Sequence, residues 1–197
     1  MNRIELGDIK NILEYERERE AFRERIIQVK KRRRVLLGDS ISLVFEGRDT
    51  VLFQIQEMVR AERIVDEAKL QEEIDVYAPM LPQPRCLSAT LFIEIEDQSR
   101  IKQSLEGFLG ITRAGTIYID VGGARVNGEF EGGREEEESG KVSAVQYVRF
   151  PFQQEPFEKF GRQDVRVAVV ADHPNYKART ELDGGTQEEL RQDIAEK

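Results

Sequence analysis

Apolar positions recur along this chain in two rhythms, and each predicts a kind of element. Over residues 8–31, Ile12, Tyr15, Phe22, Ile26 and Val29 return at helical spacing, interrupted at Arg19. That is the stripe of one amphipathic helix, with Asp8 as its expected N-cap. Its polar side pairs Glu14 with Arg17, Glu16 with Arg19 and Glu20 with Arg23, each pair contributing about 0.2–0.5 kcal/mol. It closes on Lys30, Lys31, Arg32, Arg33 and Arg34, cations at the negative end of the helix dipole. Residues 34–38 and 41–46 predict two strands around the turn Gly38-Asp39-Ser40. A second helix is expected over 50–65, capped by Asp49 or Thr50, with Val51, Ile55, Met58, Val59 and Val65 on its core face. Residues 67–77 continue or restart it, until Pro79, Pro82 and Pro84 impose an extended connector.

Beyond the connector the rhythm shifts toward period two. Strands are expected over 86–97, 116–123, 124–132, 142–152 and 164–172, the last being the strongest signal in the chain. Helices are expected over 98–110 and near 154–161. His173-Pro174-Asn175 reads as a turn, with 176–183 pairing back. Residues 133–140, a glutamate run between glycines, read as a solvated loop. The expected fold is α+β: N-terminal helices packed on a mainly antiparallel sheet. Residues 1–183 form the single domain, and 184–197 a charged C-terminal helix or tail.

Composition narrows the function. Charged residues make up 35% of the chain, so its surface must be densely charged. The net charge of −8 opposes a nucleic-acid backbone, and Lys30–Arg34, the only basic cluster, has no stacking aromatics between its cations. No apolar run is long enough to span a membrane, and MNRIELGDIK has no signal-peptide core. The single cysteine, Cys86, has no internal partner. Together these lead to an expectation of a cytoplasmic protein with no nucleic-acid or membrane partner.

Candidate chemistry is sparse. His173, the only histidine, follows Asp172 at a predicted strand end; it reads either as a turn residue or as a ligand or base. A metal there would need carboxylates from afar, such as Glu57 or Glu62, and the Glu-x-x-His pair of di-iron helices is absent because Val170 stands three before His173. Cys86 lacks a CxxC partner, and the glycine pairs lack a phosphate-loop pattern. No GxSxG elbow is present either. No cofactor is therefore expected. The polar side of 48–66 carries Arg48, Asp49, Gln54, Gln56, Glu57, Arg60, Glu62, Arg63 and Asp66. These are either surface charges or side chains of an internal polar network or partner groove on a helix buried on two sides.

KKRRRV (30–35), FEGRDTVLFQIQEMVRAERI (45–64), SAVQYVRF (143–150) and VADHPNY (170–176) resemble a bacterial family known as a domain of unknown function. The likeness spans nearly the whole chain. It assigns family significance to Arg48, Asp49, Gln54, Gln56, Glu57, Arg60, Glu62, Arg63, Asp172, His173 and Tyr176. Similar proteins are often encoded beside a rubrerythrin and an iron–sulfur, heterodisulfide-reductase-like protein, which implies a redox or peroxide-response setting. Two functions are thus expected. The first is an accessory protein that binds a redox partner through the 50–65 helix and the basic end at 30–34. The second is a metal-dependent or small-ligand enzyme centred on His173.

Overall fold

A computed structural model describes residues 3–95, 101–131 and 142–195, with the backbone alone for 101–103. Helix α1 runs from Ile12 to Arg33. It starts later than expected because Asn11, not Asp8, is its cap: the Asn11 side chain accepts the Glu14 amide at 3.0 Å. Asp8 lies in the short 3₁₀ turn Leu6–Asp8 and accepts the Glu5 amide at 2.9 Å. Strand β1 (Arg34–Leu37) follows α1 directly and turns back into β2 (Ile41–Phe45).

Helix α2 (Arg48–Glu62) buries Val51, Ile55 and Val59. Its cap is Gly47, whose amide donates to the Thr50 hydroxyl at 2.9 Å; Asp49 and Thr50 both lie inside the helix. Two expected core residues fall outside the core. Met58 is half-buried, and Val65 is 80% exposed. For Val65 the cause is Arg63, whose left-handed backbone (φ 55°) ends the helix and resets its phase. Ile64 takes the buried place instead, its amide donating to Val59 O at 3.0 Å. Helix α3 (Glu67–Tyr77) restarts under a new cap, Asp66. The prolines then lead through a 3₁₀ turn (Ala78–Met80) into β3 (Cys86–Ile93).

The remaining elements are α4 (Ile101–Glu106), β4 (Ile117–Val121), β5 (Ala124–Asn127), β6 (Glu129–Phe130), β7 (Val145–Pro151), α5 (Gln154–Phe160), β8 (Val167–His173), β9 (Tyr176–Glu181) and α6 (Gly184–Ile194). The loop read over 133–140, and residues 96–100, lie outside the described residues.

The α+β class holds, with two antiparallel sheets where one was expected. Their strand orders are β1-β2-β3-β7-β6 and β5-β4-β8-β9. The return strand expected over 124–132 divides at Gly128: β5 pairs with β4 in one sheet and β6 with β7 in the other. A Cβ at Gly128 would sit 2.8 Å from Val148 and 3.0 Å from Ile117 O, so only glycine lets the strand cross there. At the opposite corner, side chains of β9 close the gap to the edge of β1. Thr180 donates to Leu36 O at 2.6 Å, and Tyr176 to Leu37 O at 2.5 Å. These bonds occupy edge carbonyls that would otherwise invite another strand.

The enclosed core includes Phe45, Leu87, Ile119, Phe150, Val169 and Phe160. Leu190 and Ile194 of α6 belong to it, so the charged C-terminal segment is a packed helix rather than a tail. A second, smaller core joins Ile4, Val51, Ile55, Val59, Ile64, Ile74, Met80 and Leu81. It holds α2 and α3 with the N-terminal segment, as a helical layer on the other face of the five-stranded sheet. No helix among the described residues is long and apolar enough to cross a membrane.

Candidate functional site

The polar side of α2 is an inter-helix seam. Glu57 accepts the Tyr15 hydroxyl at 2.6 Å and a forked pair from Arg19, Nε and Nη2 each at 2.7 Å. Such bidentate pairing is the strong form of the arginine–carboxylate bond. The Arg19 guanidinium holds the Glu57 carboxyl below its usual range, and burial, reinforced by Glu57, pushes the Tyr15 phenol up. Arg60 donates to Glu16 at 2.6 Å. The buried Gln56 side chain makes two 2.9 Å bonds to Lys10, accepting its amide and donating to its carbonyl. Arg48 reaches the N-terminal segment, pairing with Asp8 at 2.5 Å and donating to Arg3 O at 3.2 Å. Bonds from the Glu5 amide and from Arg48 hold Asp8 below the usual carboxylate range. Edge-to-face rings extend the seam, with Phe22 set 5.5 Å from Phe53.

Two buried charged side chains, Glu46 and Arg33 of the basic run, anchor this layer from beneath. Glu46, 2% exposed, sits between β2 and α2. Its carboxyl accepts the hydroxyl of Thr90 at 2.6 Å, the amide of Gln54 at 3.3 Å and the hydroxyl of Thr50. The sequence signal was a carboxylate directly after the mostly apolar run ISLVF. Arg33, also buried, donates to Phe45 O at 3.0 Å and Glu46 O at 2.9 Å, and pairs with Asp193 of α6. A Cβ on Gly47 would come within 2.9 Å of this guanidinium, so the chain needs glycine where it passes. Arg32 binds Glu189 at 2.6 Å and Arg34 binds Glu94 at 3.0 Å. Three cations of the basic run therefore neutralise the protein's own carboxylates.

The β8–β9 turn is a separate place. His173 is buried; its Nδ1 accepts the Asn175 amide at 3.2 Å, which leaves Nε2 to donate to Leu109 O at 2.9 Å. Asn175 donates to Gly107 O at 3.0 Å, so the turn is stitched to residues 107–109. Tyr176 closes the β1 edge and packs its ring 5.3 Å from Phe108. Asp172 is exposed and pairs with Lys177 at 2.8 Å, which lowers its carboxyl. Among the described residues, no hydrogen bond or ion pair joins His173 to Glu57 or Glu62.

Asp49 and Glu62 are exposed. Glu62 lies at the corner where α2 meets α3, beside an open groove of about 370 Å³ lined also by Lys69, Glu72 and Glu73. Burial, with repulsion from Glu62 and Glu72, pushes the Glu73 carboxyl up. Cys86 is half-buried, and that burial raises its thiol, which disfavours a reactive thiolate. Among the described residues, no group of three His, Cys, Asp or Glu side chains is placed to hold a metal.

Three comparisons set this geometry among known proteins. A family model described as "Protein of unknown function (DUF3501)" matches residues 3–194. The chain is similar to the crystal structure of a novel protein of unknown function from Burkholderia pseudomallei K96243. The two share 29% identity and a TM-score of 0.89, over 98% of this chain and 99% of that one. No curated protein matches.

Proposed function

Because the chain belongs to the family of proteins of unknown function DUF3501, we propose that it is a non-catalytic accessory protein that binds a redox partner. One observation carries this reading. Arg48, Gln56, Glu57 and Arg60 of the motif block are each engaged in fastening α1 and the N-terminal segment to α2. A block used this way joins the helices into one platform, and these four side chains make structural bonds rather than converging on a reacting centre. The class of partner comes from the resemblance, whose gene company of rubrerythrin and iron–sulfur proteins implies a redox or peroxide-response setting.

The alternative, an enzyme centred on His173, draws less support. Both ring nitrogens are hydrogen-bonded within the chain, so a ligand or substrate would first have to displace the Asn175 amide or the Leu109 carbonyl.

Isothermal titration of the chain with the purified rubrerythrin-like and iron–sulfur proteins tests the proposal. Binding tighter than about 10 μM, or about −7 kcal/mol, is expected for at least one. Absence of heat and of co-elution with both, together with stoichiometric metal in the purified chain, would favour the enzyme instead.

A further inference from the structure

Helix α1 has two long faces. On the inner one Tyr15, Ile26 and Arg33 are buried, and Arg19 and Phe22 lie against α2. On the opposite side Leu13, Arg17, Glu20, Glu24, Ile27 and Lys31 follow one another at alternating steps of four and three. That is the spacing of a helix-pairing seam. All six are exposed, Leu13 at 75%. Ala21, also exposed, lies beside this row, and an open groove of about 450 Å³ runs over it, lined by Glu24, Arg25, Ile27 and Gln28.

The charges of this row are not used within the chain. Elsewhere on α1, Glu16 pairs with Arg60, Glu18 with Lys10 and Arg32 with Glu189. Arg17, Glu20, Glu24 and Lys31 form no ion pair among the described residues, although Glu14 and Arg23 stand one helical turn from Arg17 and Glu20.

Their order is self-complementary when the helix is reversed. A two-fold axis crossing between Glu20 and Ala21 brings Arg17, three positions before Glu20, level with Glu24, three positions after Ala21. The match occurs twice, as an isologous contact requires. Leu13 comes level with Gln28, beside Ile27, so each end gains an apolar contact. At the middle Ala21 meets its own copy, and its small side chain lets the helices approach. Like charges meet at two places. Glu20 comes near its own copy, with Arg23 of either chain beside it, and Lys31 comes near Lys10, which Glu18 already neutralises. Parallel pairing would instead set Arg17 on Arg17 and Glu24 on Glu24.

We infer that α1 pairs antiparallel with α1 of a second copy, Arg17 of each chain against Glu24 of the other and Leu13 against Ile27. The inference goes beyond the partner-binding reading and does not depend on it. A rod of about 33 Å joined along its length buries on the order of 1,000 Å², the low end for a specific contact. The dimer therefore forms and parts readily, with a Kd of about 10–100 μM. Apolar contact supplies the affinity, and the charges set the direction.

Sedimentation equilibrium of the full chain, up to about 200 μM in about 50 mM salt, tests this with Arg17→Glu, Glu24→Arg and the double variant. Melting curves confirm that each variant folds. Wild type is expected to dimerise. Each single variant should weaken the dimer about ten-fold or more, because like charges then face each other at both pairs. An equimolar mixture of the two single variants should dimerise again, since each chain meets opposite charges on the other, and the double variant should recover by itself. A wild type that stays monomeric overturns the inference. Single variants that dimerise like wild type overturn it by placing the contact elsewhere. A mixture and a double variant that both stay monomeric overturn the antiparallel pairing. A monomeric wild type whose binding to a rubrerythrin-like or iron–sulfur protein is lost in Arg17→Glu overturns it in favour of that partner on this face.

Discussion

Around the main core, contact is made by apolar side chains: Phe45 against Phe150 with ring centres 6.1 Å apart, Phe152 against Phe160 at 5.1 Å, and the valines of β8. Between α2 and α1 with the segment leading into it, contact is made largely by Glu57 with Arg19 and Tyr15, Arg60 with Glu16, and Gln56 with Lys10. The first kind of packing has no direction and does not respond to charge screening or to protonation. The second fixes helix register through directed bonds, and it weakens when salt screens the charges or acid removes them. One chain thus holds two adhesives whose responses to solution conditions can be separated.

The largest effect is expected where the two meet. Arg33→Ala removes the buried cation that pairs with Asp193 and donates to the Phe45 and Glu46 carbonyls, and should cost about 3–5 kcal/mol in urea unfolding. A loss under about 1 kcal/mol would mean that α6 holds without this joint. Next, Ile55→Ala should cost about 2–5 kcal/mol, because Ile55 is fully buried in the smaller core. Met58→Ala should cost clearly less, since Met58 is half-buried; equal losses would contradict the assigned helix phase. His173→Ala leaves the Leu109 carbonyl and the Asn175 amide unsatisfied, at about 1–3 kcal/mol. The accompanying change should be faster amide exchange at 107–111 with α1 and α2 unaltered.

A smaller effect separates the adhesives by pH. Glu57 is lowered in the folded protein, so its contribution is fully present above the unfolded carboxylate value of about 4.3. It is lost as pH falls through the folded value. Amides of α1 should therefore exchange faster below about pH 4, while those of β4 and β8 stay protected. Asp193, raised mainly by burial, works in the opposite sense, so the step must be read as wild type minus Glu57→Gln. A step that survives in Glu57→Gln would locate its origin elsewhere. Last, Asp172→Asn should leave the melting temperature unchanged, because the Asp172–Lys177 pair stands in solvent.

Much of this was legible where it is local. The hairpin of β1 and β2 and the strand β8 were readable because turn residues and β-branched runs act within a few positions. Asp8 misled because two residues near the start of α1 had the chemistry of a cap, and only the one nearer its first turn reaches the amides. Val65 misled because period counting continues through a left-handed residue that the backbone does not continue through. The polar face of α2 carried both readings, surface and network, and what decides between them is distant: Tyr15 is 42 positions from Glu57. The basic run hid its role the same way, since Arg33 and Asp193 are 160 positions apart. His173 was visible as the lone histidine, yet its partner Leu109 offers only a backbone carbonyl, which any residue would.

Between α1 and β1 there is no linker: Arg33 is the last helical residue and Arg34 the first of the strand. A helix of this length is a rod of about 33 Å, and here it is welded to the rim of a sheet. It behaves as a lever without a hinge. A load applied near Asn11 cannot be absorbed by loop bending; it reaches β1 as torque, and through the Thr180 and Tyr176 bonds it reaches the far sheet. Pulled from its N-terminal end, this protein should yield at the α1–α2 seam first, and the strands should part only after that seam has peeled.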